Sequence, residues 1–151
     1  MPIDEDIAFL ESVPTLALLG RPALRILAIG TETKKVPSGA VLFYAGDLTD
    51  CGYVVQDGAF MLEDASPGKH EETHIGPGAL LGDLALITDT VRTETATAQE
   101  PSVVIRIPRS LFLKMLEGYP EAARSLRDAM AERLEAWTHD LAGVRTKLEG
   151  G

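Results

Sequence analysis

The chain is poor in the features that mark exported and membrane-spanning proteins. Its single cysteine, Cys51, cannot form an internal disulfide, and its N-terminus is acidic where a secretory signal would be basic. No stretch approaches the roughly 18 consecutive apolar residues of a membrane-spanning helix. These features predict a cytoplasmic protein that does not enter the membrane.

Basic side chains are also scarce. The chain has 14 Lys and Arg against 23 Asp and Glu, a formal net charge of −9, and no basic cluster denser than Thr33-Lys34-Lys35. Proteins that bind nucleic acids concentrate Lys and Arg against the backbone phosphates. The composition therefore argues against direct nucleic-acid binding. It does not argue against one small anionic ligand, whose site needs only local positive potential.

The pattern along the 151 residues predicts a mainly β fold with flanking helices, an antiparallel barrel or jelly roll (β-roll). We expect a single domain, 1–151, with short N-terminal helices in 1–32, the β-roll in 33–108 and C-terminal helices, the last of them long, in 109–149. Turn signals such as Asp57-Gly58 separate short runs of strand-forming residues. The predicted strands are 40–44, 52–56, 59–63, 71–75, 93–98 and 102–107.

Residues 80–98 have the layout of an anion site. Gly82 permits a close approach of the backbone, and a short helix from Leu84 would present free N–H groups. Arg92 adds a planar, permanently charged group that matches phosphate oxygens. Asp83 would repel a phosphate but can accept a hydrogen bond from a ribose hydroxyl. A carboxylate that can bind a sugar hydroxyl, next to an arginine that can bind a phosphate, indicates a nucleotide ligand.

This segment resembles the phosphate-binding cassette of the cyclic-nucleotide-binding domain family, which includes kinase regulatory subunits, gated channels and catabolite-activator-type regulators. The matching motifs are Gly82-Asp83-Leu84-Ala85-Leu86 and Arg92-Thr93. Asp83 departs from the glutamate usual in the family. Upstream, the family's turn and strand residues are matched by Pro37-Ser38-Gly39, Gly46-Asp47, Tyr53-Val54-Val55, Gly58 and Gly78.

The resemblance implies that the chain binds cyclic AMP or cyclic GMP as a sensor or regulatory module, without any other cofactor. The phosphate would lie between Arg92 and the backbone near Leu84 and Ala85, with Asp83 on the ribose. Thr93 could contact the guanine amine or merely suit a strand, and Asp83 could merely cap the short helix. We expect Glu94, by strand alternation, to point away from Thr93. The expected ligand-binding residues are Gly82, Asp83, Leu84, Ala85, Arg92, Thr93 and Arg127.

The last helix is expected to act as lid and output. Its apolar residues follow a spacing near that of a coiled coil, which predicts a homodimer through this helix or packing within one chain. Arg127 could stack on the base or be a solvated helix charge. An unknown effector protein would be a further partner. The seam residues are Met130, Leu134, Trp137, Leu141, Val144 and Leu148.

The sequence argues against an enzyme. His70 and His74 stand too far apart for the His-x-His metal motif of small β-barrel enzymes, and no nucleophile with a partner base is evident. The acidic neighbours of Cys51 favour an inert thiol. Asp83 and Glu94, where the family carries other residues, leave open a degenerate β-roll that serves protein interaction or dimerisation and no longer binds nucleotide.

Overall fold

A computed structural model describes residues 3–64 and 72–132. Helices precede and follow a central set of eight strands, and residues 120–132 form the described part of a last helix. The helices are α1 (Ile3–Glu11), α2 (Pro14–Ala17), α3 (Arg21–Gly30) and α4 (Arg109–Gly118), with a 3-10 turn at Leu84–Leu86. The strands are β1 (Glu32–Val36), β2 (Val41–Phe43), β3 (Cys51–Asp57), β4 (Phe60–Asp64), β5 (Glu72–Ile75), β6 (Leu80–Leu81), β7 (Glu94–Ala98) and β8 (Ser102–Pro108).

The strands form two four-stranded antiparallel sheets. One has the order β1-β8-β3-β6 and the other β2-β7-β4-β5. The jelly-roll class is confirmed, but the strands make two facing sheets and not one closed barrel. The six predicted strands are all present, each within a residue or so of its predicted bounds. β1, the short β6 and α2 were not predicted. In β6 and α2, two or four residues carry too little periodicity to be recognised. In β1, four of the five residues are exposed, so the strand shows no alternation of apolar residues.

The first sheet separates two apolar clusters. Side chains alternate across a strand, so neighbouring residues of β3 point to opposite sides. Val54 packs with the helices, and Val55 packs with Phe60 and Leu62 between the sheets. Four consecutive residues of β3, from 52 to 55, are buried together with Cys51, as expected of a strand covered on both faces.

The last helix packs into the helical cluster. Ala122 and Leu126 are buried there, and Met130 lies against them partly buried. The first residue of the predicted seam therefore packs within the chain. The other seam residues lie outside the described part of the chain, so the homodimer stays a prediction. Within residues 3–64 and 72–132, no helix has the length and hydropathy to cross a lipid bilayer.

Candidate functional site

A cleft of about 460 Å³ opens where the 80–98 segment meets β2 and β4. Six of the seven residues expected from the sequence line it, Gly82, Asp83, Leu84, Ala85, Arg92 and Thr93. Leu62 and Leu80 also line it. The structure thus brings residues of the predicted motif together around one concave site.

Arg92 is fixed by its backbone on both sides. Its N–H donates to the carbonyl of Asp47 at 2.8 Å, and its own carbonyl accepts from the N–H of Gly46 at 2.7 Å. Thr49 and Thr90 add a side-chain hydrogen bond at 2.9 Å between the same two loops. The 46–49 loop therefore sets the position of the arginine before any ligand arrives.

The guanidinium of Arg92 lies in a nearly dry setting. The residue is 8% exposed, and its Nη2 donates to the Cys51 carbonyl at 2.8 Å. Its carbon Cζ stands 4.3 Å from the ring centre of Phe43 and 5.5 Å from that of Tyr53. Aromatic faces attract a cation but leave its charge uncompensated. Sequence reasoning missed both rings, because their contact with Arg92 joins strands far apart in the chain.

Gly82 is required where it stands. Its φ is +87°, a left-handed conformation that residues with a Cβ rarely adopt. A Cβ added there would also lie 2.5 Å from Arg92 Nη1 and 3.2 Å from the Cβ of Ala85. The arginine therefore occupies the space that only a glycine leaves open.

Asp83 caps the 3-10 turn. Its carboxylate accepts a hydrogen bond from the Leu84 N–H at 2.8 Å, in keeping with the preference of aspartate for helix starts. The sequence interpretation assigned the Leu84 N–H to a phosphate, and in this structure Asp83 takes it instead. The cap does not test the ribose contact, which stays a prediction. Leu84 itself is half-exposed at the rim of the cleft.

Arg109 ties the 3-10 turn to the rest of the molecule. From the first residue of α4, its Nε donates to the Ala85 carbonyl at 2.8 Å and its Nη1 pairs with Asp89 at 2.7 Å. Its Nη2 donates to the carbonyl and hydroxyl of Thr49 at 2.7 and 2.8 Å. Sequence reasoning missed this role, since a lone arginine at a helix start carries no signal of its partners.

Glu94 does not lie where strand alternation from Thr93 would place it. β7 begins at Glu94, so Thr93 precedes the strand and both residues line the cleft. On β7, Glu94 shares a face with Ala96 and Ala98, which are buried between the sheets. The carboxylate side chain is therefore on the inner face, with Asp64 of β4 directly opposite in register.

Arg127 is not brought to the cleft. Its side chain is 74% exposed and pairs with Asp128 at 3.9 Å, which matches a solvated helix charge. It borders a separate apolar groove between the last helix and Ile87. His70 lies outside the described residues, and His74 is exposed on β5. Among the described residues, no cluster of His, Cys, Asp or Glu is arranged to hold a metal ion.

Burial governs the protonation of the groups beneath Arg92. Desolvation raises the pKa of the Cys51 thiol above its ordinary value of 9.0. Desolvation, with a hydrogen bond to Cys51, raises the pKa of Tyr53 from 10.0 to about 12. Both groups are therefore neutral at physiological pH, and neither provides an anion to balance the arginine.

Proteins of known family resemble this chain over most of its length. A cyclic nucleotide-binding-like protein from Brucella abortus is 36% identical, with a TM-score of 0.66 over 75% of this chain and 98% of that one. A cyclic AMP receptor protein from Thermus thermophilus is 32% identical over 105 residues, 68% of this chain and 49% of the relative.

An uncharacterized NTE family protein from Mycobacterium tuberculosis is 34% identical over 125 residues, or 83% of this chain. The chain spans only 21% of that relative's length. The family model described as the cyclic nucleotide-binding domain matches residues 33–119. These residues include the whole cleft and all of α4. The chain belongs to the cyclic nucleotide-binding domain family.

Proposed function

We propose that the cleft binds a cyclic nucleoside monophosphate and that the chain acts as a regulatory module. The phosphate would meet the guanidinium of Arg92, and the sugar would lie toward Asp83. Leu62 and Leu80 on the cleft wall offer apolar surface to the base. The similarity to a cyclic AMP receptor protein supports this ligand class.

The burial of Arg92 carries the proposal. Within the described part of the chain, none of the ion pairs involves this residue, although it is only 8% exposed. A buried charge is costly unless an opposite charge accompanies it. A ligand phosphate in the cleft would supply that charge and accept hydrogen bonds from the guanidinium.

Calorimetric titration with cyclic AMP and cyclic GMP tests the proposal. Loss of a buried charged contact is expected to weaken binding, so Arg92→Ala should raise Kd by about thirtyfold or more. Arg127→Ala serves as the matched control, because the structure places that arginine on the surface. Equal affinity of the wild type and Arg92→Ala would overturn the assignment of Arg92. The same titrations compare the two bases, for which Thr93 at the cleft is the candidate determinant.

The output would pass through the 3-10 turn to the last helix. Ile87 follows the turn directly and borders the same groove as Leu126 and Met130. A shift of the turn on ligand binding would therefore change how the last helix packs against the domain. The ligand would do this by favouring one of two pre-existing positions of that helix. A homodimer through this helix, or an effector protein that reads it, would convey the signal further.

A further inference from the structure

The cleft presents more negative than positive charge. Among the described residues that line it, the charged ones are Arg92, Asp83 and Glu94. Glu94 is half-buried on the inner face of β7, so its carboxylate lies beside the cleft and not in open solvent. A phosphate that enters this site meets one guanidinium and two carboxylates.

The binding affinity of a ligand for this cleft then depends on the charge of its phosphate group. A cyclic phosphodiester has one acidic proton and carries a single negative charge. A phosphomonoester carries about 1.5 to 2 negative charges at pH 7, because its second pKa is near 6. Repulsion from a fixed carboxylate grows in proportion to the ligand's charge.

We propose that Glu94 is a specificity-determining residue, which selects a singly charged phosphodiester against phosphomonoesters and nucleoside polyphosphates. This inference rests on the proposed nucleotide site. Within that site, Glu94 would be the residue that discriminates between ligands by the charge of their phosphate groups. Arg92 attracts each ligand and the carboxylates of Asp83 and Glu94 repel it, in both cases in proportion to the ligand's charge. The excess of carboxylates in the cleft therefore disfavours the multiply charged ligands more strongly. Asp64, opposite Glu94, and Asp83 across the cleft remain as acids when Glu94 alone is changed.

Titration with cyclic AMP and with adenosine 5′-monophosphate tests the inference on the wild type and Glu94→Gln. Glutamine keeps the shape and removes the charge. Affinity for the cyclic ligand should rise about fivefold and affinity for the linear one by about the square of that factor, since the energy scales with ligand charge. Glu63→Gln is the matched control, because Glu63 is exposed on the outer face of neighbouring β4. It should leave the ratio of the two affinities unchanged.

A pH series gives a second readout. Raising the pH from about 5.5 to about 7.5 removes the second proton of the linear ligand and leaves the cyclic one unchanged. In the wild type the linear affinity should therefore fall as pH rises, and in Glu94→Gln it should fall less. The charged groups that line the cleft in both variants are Arg92 and Asp83, so they are common to the two pH series.

The outcomes separate the two proposals. If the wild type binds neither nucleotide, the proposed function fails and the inference fails with it. If it binds cyclic AMP and Glu94→Gln leaves the ratio of cyclic to linear affinity unchanged, only the inference is overturned. Melting temperatures of the variants verify that each compared protein is folded.

Discussion

At the scale of single residues, the contact between Gly82 and Arg92 is the most sensitive point of the site. Gly82→Ala places a Cβ 2.5 Å from Arg92 Nη1 in a backbone with φ of +87°. The strained backbone should cost about 1–2 kcal/mol of unfolding free energy, and displacement of the guanidinium should weaken cyclic-nucleotide binding by about tenfold or more. Urea denaturation and calorimetry measure the two effects.

Gly78→Ala separates the strain from the contact. Gly78 has a similar φ of +91°, but an added Cβ there meets nothing within 4 Å. This control should lose comparable stability and keep full ligand affinity. A loss of affinity as large as that of Gly82→Ala would show that the contact with Arg92 is not the cause.

At the scale of elements, Arg109 joins the 3-10 turn, the 46–49 loop and α4. Arg109→Lys keeps the charge but cannot reproduce a planar group that donates in three directions. We expect a loss of about 1–3 kcal/mol in unfolding free energy, because buried carbonyls lose their donors. Amide hydrogen exchange should quicken most at Ile87 and Thr88, whose N–H groups donate to the Leu84 carbonyl.

Arg106→Lys is the corresponding control. Arg106 pairs with Asp50 and Glu32, whose side chains are mostly exposed, so the change should cost less than about 1 kcal/mol. Equal exchange rates at Ile87 and Thr88 in the wild type and Arg109→Lys would contradict the role given to Arg109.

The sequence predicted elements better than the contacts between them. Alternating apolar residues and turn glycines are local signals, so β2 to β5, β7, β8 and the lining of the cleft by Gly82 and Arg92 could be anticipated. The rings of Phe43 and Tyr53 under Arg92 could not, because tertiary pairing alone brings them together. The inward placement of Glu94 was missed for a related reason, since the strand begins one residue later than its pattern suggests.

At the scale of the whole molecule, two buried side chains of β3, the Cys51 thiol and the Tyr53 phenol, make the free energy of unfolding fall at alkaline pH. The pKa values of Cys51 and Tyr53 are raised in the folded state, so the unfolded chain releases their protons first. Their contribution is therefore complete below the ordinary thiol value of 9.0 and is lost as pH rises toward about 12. Unfolding free energies measured across this range should decline.

Cys51→Ser removes the first of these titrations. In this variant the free energy of unfolding should begin to fall at a higher pH than in the wild type, near the ordinary tyrosine pKa of 10.0. The comparison needs only the pH dependence of each variant, so a general loss of stability in Cys51→Ser does not obscure it. An identical onset in both proteins would contradict the assignment to the thiol.

The pairing of β1 with β8 has a consequence for how such a unit can be carried by longer polypeptides. Glu32 faces Arg106 and Val36 faces Ser102, so the strand that opens the roll lies beside the strand that closes it. The chain therefore enters and leaves at neighbouring points, next to α3 and α4, which pack together. A host protein can accept an insertion of this kind with little separation of its own flanking segments. Closure of the roll needs pairing between strands that lie far apart in the chain, which is expected to slow its folding.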